Sequence, residues 1–345
     1  MDSLTQIALG SAVSVAVMGR RTAVWKAALW GAIGGTLPDL DAFIDHGSPL
    51  LNMVRHRAET HSLFYLTLFA PLLAALVAWW HGERVLFKRW WLALWLVLVT
   101  HPLLDNMTVY GTQLLQPFTA HPYGLDSMFI IDPLYTVPLL IGVVVAMRGR
   151  GDARGLRWNA GGLMISTSYL AWSLTAQAHV REVALASMQE QGIGADKVLV
   201  TPAPFNTVLW RVVAVSPTHY FEGYHSLIDK DRTMRWTSHE RGAALIDRYA
   251  SHTPASHLAN FSKGFYKMST SAETGNVLIT DLRMGVEPSY TFTFDLGSPS
   301  QVLLSDAPRH VGQRGNVGLA LQWVWKRALT ETREPLSIVL ERGAL

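Results

Sequence analysis

Two runs of 23 residues, 60–82 and 158–180, contain no Lys, Arg, Asp or Glu. Few folds accommodate such runs. A helix that crosses a bilayer needs about 20 mainly apolar residues, whereas a soluble domain rarely keeps two stretches of this length free of charge. Three shorter apolar stretches, Ser3–Gly19, Trp90–Leu104 and Pro133–Met147, lengthen through uncharged polar flanks, and Ala27–Pro38 is short and rich in glycine. The pattern predicts five to six membrane segments, with Ala27–Pro38 either a short span or a helix buried by its neighbours.

Charge divides the 345-residue chain in two. Residues 1–179 hold 12 Lys/Arg and 10 Asp/Glu, against 17 and 16 in the shorter remainder, and nine of the 13 Trp fall in the first part. The expected fold is therefore an α-helical polytopic membrane domain, 1–180, followed by a soluble α+β domain, 181–345. In the second part Lys197–Val200, Val208–Val215, Asn276–Leu282 and Tyr290–Phe294 read as strands. Arg241–Tyr249 and Ala255–Phe265 read as helices, and a helix leaving the membrane is expected near Val180–Gly194. A net charge of +3 gives no case for nucleic acid, and the absence of cysteine excludes thiolate metal sites and cysteine nucleophiles. Asp2 stands where a signal peptide carries basic residues, so the first segment is expected to be retained.

Lys and Arg set orientation. Arg20, Arg21 and Lys26, then Arg84, Lys88 and Arg89, then Arg148, Arg150, Arg154 and Arg157 occupy alternate connections. That places these three on the cytoplasmic side, and the N-terminus and residues 181–345 outside it. Arg55 and Arg57 are the two cations on the outer side.

Ionisable groups beside membrane segments are costly and mark function by default. Here Asp39 and Asp41, His56 and His61, and His101 and Asp105 all fall at the outer ends of predicted segments, with Asp126 and Asp132 before the fifth. His101 and Asp105 are one helical turn apart, with Pro102 between them. Asp39 and Asp41 point the same way if their turn is extended. Mixed His and Asp donors suit a divalent ion, zinc first, with manganese or iron as alternatives. Six donors suffice for two ions, an arrangement used in phosphoester hydrolysis. Arg57 serves either a lipid headgroup or a phosphate-like transition state. Asp126 and Asp132 are expected as caps or supporting groups. Taken singly, each His or Asp also reads as a cap or an interhelical hydrogen-bonding partner.

The motifs Met1-Asp2-Ser3-Leu4-Thr5-Gln6, Gly35-Thr36-Leu37-Pro38-Asp39-Leu40-Asp41, His56-Arg57 with Thr60-His61-Ser62, and Thr100-His101-Pro102-Leu103-Leu104-Asp105 resemble those of the YdjM/YbcI-type membrane-bound metal-dependent hydrolases. Tyr110-Gly111-Thr112-Gln113 and Ile131-Asp132-Pro133-Leu134-Tyr135 extend the resemblance, which covers about 1–180. It implies a bacterial inner-membrane protein with a His/Asp metal centre. Gln6 stands where many members carry His. The reading that joins residues and resemblance is a metal-dependent hydrolase acting on a phosphoester of a lipid or lipid-linked substrate at the outer membrane face, with membrane lipids as its partners. The alternative is a non-enzymatic transporter or envelope scaffold that uses the same cluster for ion binding or structure.

Overall fold

The computed structural model describes residues 1–300, 308–312, 315–330 and 335–342. The chain divides into two compact units. The first comprises 1–44 and 56–174, and the second comprises 45–55 and 175–345.

The first unit is helical: α1 (Ser3–Met18), α2 (Val24–Thr36), α4 (Leu63–Trp80), α5 (Phe87–Asp105), α6 (Pro133–Arg148) and the first part of α7 (Ala153–Glu190). Each expected segment of the sequence coincides with one of these helices. Among the described residues, only Leu63–Trp80 is long and apolar enough to meet a spanning criterion, and Ser3–Met18 and Pro133–Arg148 are shorter apolar helices.

Local chemistry sets the helix starts. Asp2 caps α1 by accepting from the Thr5 amide at 3.1 Å, Ser62 caps α4, and Asp132 caps α6 with Pro133 at the first helical position. Helix α1 is central and packs on α2, α5 and α6. Its contact with α2 is made by backbone: a Cβ on Gly10 would fall 2.2 Å from the Gly31 carbonyl oxygen, and one on Gly35 2.6 Å from that of Gln6. This close packing of small residues suits helices that gain nothing by burying apolar surface from lipid. Polar side chains tie neighbours together: Ser11 donates to the Ala28 carbonyl at 2.9 Å, Asn159 to that of Ala12 at 2.9 Å, and Ser166 to that of Tyr135 at 2.7 Å.

The outside is the apolar side. Leu68, Leu72, Leu76, Trp79 and Trp80 on α4, and Leu134, Val137 and Ile141 on α6, are exposed. Thr5, Gln6, Ser14, His61, His101 and Asp105 are buried.

The second unit contains two four-stranded antiparallel sheets. The first runs β1 (Lys197–Pro202), β2 (Leu209–Val215), β3 (His219–Ser226), β4 (Trp236–Glu240) in sequence order. The second is formed by β5 (Tyr266–Thr270), β6 (Val277–Asp281), β9 (Thr293–Gly297) and β10 (Arg309–His310), in the order β10-β9-β6-β5. Gly285–Val286 (β7) and Ser289–Tyr290 (β8) form a separate hairpin. The strand expected over Tyr290–Phe294 is thus two, because Tyr290 closes that hairpin and the chain turns before β9.

Helix α8 (Ala243–Arg248) lies within the first expected helical stretch, and α9 (Thr253–Phe261) overlaps the second, starting two residues before it and ending four residues short of its end. The end of α7 packs Ala176, Val180, Val183 and Ala184 against Val200, Trp210 and Val212. Helix α10 (Val317–Leu329) and α11 (Leu336–Arg342) cover Ala203 and Leu209. A short helix, α3 (Pro49–Arg55), also belongs to this unit and packs on α9 and β10.

Candidate metal centre

Two short turns and one helix end meet in the first unit. Asp39 lies on a 3-10 turn, Pro38–Phe43, that begins where α2 stops. His61 ends a second 3-10 turn, Glu59–His61, just before α4. His101 and Asp105 occupy the last turns of α5, and Pro102 does not disrupt them: His101 Nε2 stands 3.4 Å from Asp105 Oδ2 across one turn.

One donor atom from each of Asp39, His61, His101 and Asp105 lies within 4.8 Å of all the others. The two imidazole Nε2 atoms are 3.1 Å apart. Asp39 Oδ1 is 3.3 Å from His61 Nε2 and 3.5 Å from His101 Nε2. Asp105 Oδ2 is 3.3 Å from His61 Nε2. His61, His101 and Asp105 are fully buried, and Asp39 is partly exposed.

The outward-facing ring atoms decide what the inward-facing ones offer. His101 Nδ1 donates to the Gly35 carbonyl at 2.7 Å. His61 Nδ1 lies 3.0 Å from Thr60 Oγ1, which donates to Asp41 Oδ2 at 2.8 Å. In the neutral form that a metal ligand requires, each ring would carry its proton on Nδ1 and present a lone pair from Nε2. Two lone pairs and two carboxylate oxygens then face one another, which is unfavourable without a cation between them. A tetrahedral shell of N and O donors at about 2.0–2.1 Å from a zinc ion spaces them roughly 3.3 Å apart, close to the spacings observed. The residues fit a divalent metal.

The supporting groups are equally specific. Asp41 and His56 do not join the four. The turn is 3-10 rather than extended, so Asp39 faces the inward Nε2 atoms of His61 and His101, whereas Asp41 reaches only the outward Nδ1 of His61, at 3.6 Å. Asp41 Oδ1 pairs with His56 Nδ1 at 2.8 Å, and Oδ2 accepts from the Arg57 amide at 2.9 Å and from Thr60. Burial alone would raise the Asp41 carboxyl, but His56 and the Arg57 amide hold it below the usual carboxylate range.

Arg57 is buried in a left-handed backbone conformation (φ 67°). Its Nε stands 3.3 Å from Asp105 Oδ2, its Nη1 donates to Thr108 Oγ1 at 3.1 Å, and its guanidinium lies 5.0 Å from the Tyr110 ring centroid. Gln6 Nε2 donates to Asp105 Oδ1 at 3.1 Å and to the His101 carbonyl at 3.3 Å, so Gln6 orients Asp105. The Met1 amino group also contacts Asp105 Oδ1. Asp132 caps α6 and accepts from the Tyr169 hydroxyl at 2.9 Å. Asp126 adopts a left-handed conformation in the loop before α6. The roles of Thr60 and of the Gly35 carbonyl escape a search for ionisable residues, although both adjoin motifs that carry ligands.

A curated relative, the uncharacterized protein YfhP of Bacillus subtilis, is 24% identical over 155 residues, which cover 43% of this chain and 47% of that protein. The chain thus spans about half the length of the curated relative it matches. No solved structure matches. The YdjM inner membrane protein family matches residues 1–180, the stretch that carries all four clustered residues. The chain belongs to the YdjM inner membrane protein family.

Proposed function

We propose that the protein is a membrane-embedded, metal-dependent hydrolase of phosphoesters in a lipid or lipid-linked substrate, acting at the outer face of the cytoplasmic membrane. The observation that carries this reading is the convergence of His61 Nε2, His101 Nε2, Asp39 Oδ1 and Asp105 Oδ2, with both rings turned by hydrogen bonds to offer lone pairs. A divalent ion held there, zinc in the first instance, supplies Lewis acidity and makes nearby water acidic enough to act as a nucleophile.

The chain's own residues do the rest. Gly35 and Thr60 fix the ring orientations. Gln6 and Arg57 hold Asp105. Asp39, the partly exposed member, marks the side from which an ester approaches. The exposed apolar faces of α4 and α6 support burial of the first unit in a bilayer through five to six segments. The basic connections support an extracytoplasmic second unit.

The second reading is a non-enzymatic transporter or envelope scaffold in which the ion is structural or in transit. Four protein donors are the number that closes a structural zinc site, whereas catalytic sites keep a position open.

The deciding experiment is metal content of the detergent-purified protein by mass spectrometry, beside His61→Ala and Asp105→Asn, followed by phospholipid and lipid-phosphate turnover. Bound zinc or manganese lost in both variants, with metal-dependent turnover, supports the hydrolase. Bound metal with no turnover favours the second reading. No metal in the parent after reconstitution overturns the centre.

A further inference from the structure

Beside the four-residue cluster, a cavity of ≈ 440 Å³ opens between the end of α2 and the facing sides of α4 and α5. Its walls are Leu37, Leu66, Phe69 and Leu98; of its polar residues, Glu59 and Thr60 come from the turn that carries His61 and Tyr65 from the first turn of α4. None of the four clustered residues lines the groove, but its polar end adjoins two of them in the chain. The lining residue Pro38 precedes Asp39 in the chain, and the lining residue Thr60 donates to Asp41 and adjoins His61.

We propose that this groove receives one acyl chain of a membrane phospholipid while the headgroup lies at the cluster. The inference rests on the metal-centre reading for the headgroup and on the groove itself for the chain. Size selects the occupant. One turn of a docked helix would fill roughly 400 Å³ (about 10 Å across, 5.4 Å pitch), so the groove holds about one turn and not the several turns of a docking helix from a second chain. Its volume falls within the usual range of small-ligand pockets, about 300–1,000 Å³.

Polarity selects it too. Glu59, Thr60 and Tyr65 lie within seven residues of one another around the start of α4, and Leu37, Leu66, Phe69 and Leu98 supply apolar walls, which matches an amphiphile with a single tail. Access follows from α4, the helix that meets the spanning criterion and exposes Leu68, Leu72 and Leu76. Phe69 lines the groove and is itself 42% exposed, so the groove borders that apolar outer surface. A chain entering from the bilayer exchanges one hydrocarbon environment for another. Its preference for the groove therefore comes from van der Waals packing against fixed walls rather than from leaving water, and the groove sets the register of the headgroup against the cluster.

The test uses the full chain in vesicles of phosphatidylethanolamine and phosphatidylglycerol, doped with a phospholipid bearing a diazirine near the end of one acyl chain. After irradiation, adducts are mapped by mass spectrometry. Adducts should be about tenfold denser at Leu37, Leu66 and Phe69 than at the exposed Leu72 and Leu76 of α4. Leu37→Trp and Phe69→Trp should remove most of that excess, and Leu72→Trp should leave it unchanged.

Labelling spread evenly along α4 in the parent protein overturns the proposal without depending on how any variant folds, and labelling insensitive to both filling substitutions overturns it as well. Zinc content on the same samples separates the two readings. Retained zinc with even labelling sinks the groove alone, whereas groove labelling without bound zinc leaves the chain site standing and sinks the metal centre.

Discussion

At the residue scale, Asp105 carries the most interactions. One carboxylate oxygen takes Gln6 and the Met1 amino group, and the other faces His61, His101 and Arg57. Breaking a buried ion pair by deleting one partner leaves an uncompensated charge, at a cost of about 3–5 kcal/mol. Arg57→Ala is expected to destabilise the metal-free protein by that order. A divalent ion neutralises the same carboxylate, so saturating zinc should recover much of the loss. Thermal unfolding in detergent with zinc and with chelator measures both, and an equal loss in the two conditions would refute the account. In the second unit, burial pushes the His225 imidazole below its ordinary value of 6.5 and outweighs the attraction of Asp229. The folded chain then binds fewer protons than the unfolded one, so this contribution is whole above about pH 6.5 and is lost as pH falls through the depressed value. A melting series across that range should show stability falling on the acid side, and His225→Gln should flatten it.

At the element scale, the α1–α2 contact governs the site because α2 ends in the Gly35 carbonyl that holds His101. A methyl group at Gly35 meets the Gln6 carbonyl oxygen at 2.6 Å, backbone against backbone, so one helix must move. Overpacking of this kind costs typically about 1–3 kcal/mol, and loss of a group that orients a metal ligand costs about 10–100-fold in metal affinity. Gly35→Ala should show both effects, by unfolding and by zinc titration, while Gly161→Ala, which meets nothing within 4 Å, should show neither. The second unit has its own buried pair, Arg211 with Glu222 on adjacent strands β2 and β3. Glu222→Gln is expected to cost about 3–5 kcal/mol there, measured by urea unfolding of the full chain, and an unchanged midpoint would refute it.

At the scale of the whole molecule, the lack of cysteine makes topology directly measurable. Val85 is 99% exposed in the α4–α5 connection, Ala120 is exposed in the loop before α6, and Glu190 is exposed at the end of α7. An impermeant maleimide added to intact spheroplasts should label Ala120→Cys and Glu190→Cys, and should reach Val85→Cys only after lysis. Labelling of Val85→Cys in intact spheroplasts would reverse the orientation argued from the basic connections. Even labelling of all three would argue against a multi-pass chain.

The helices of the first unit were legible in the amino-acid order because apolar runs, charged breaks and caps such as Asp2, Ser62 and Asp132 act within a few residues. So were β1, β2 and β6, whose β-branched residues are contiguous. Strand β3 was not, since His219, Glu222, Gly223 and His225 interrupt its alternation and only pairing with β2 and β4 makes it a strand. Helix α3 was hidden for the same reason: its seven residues gain helical form by packing Leu50 and Met53 within the second unit. The motifs also named the chemistry-bearing residues of the site. Which four converge was decided by tertiary structure, because a 3-10 turn sends Asp39 toward His61 and His101 and sends Asp41 toward His56, Arg57 and Thr60. Sequence order specifies which donors exist and on which elements they stand. Their mutual spacing of a few ångströms depends on contacts between residues 22 to 66 positions apart, and only the packed chain defines those.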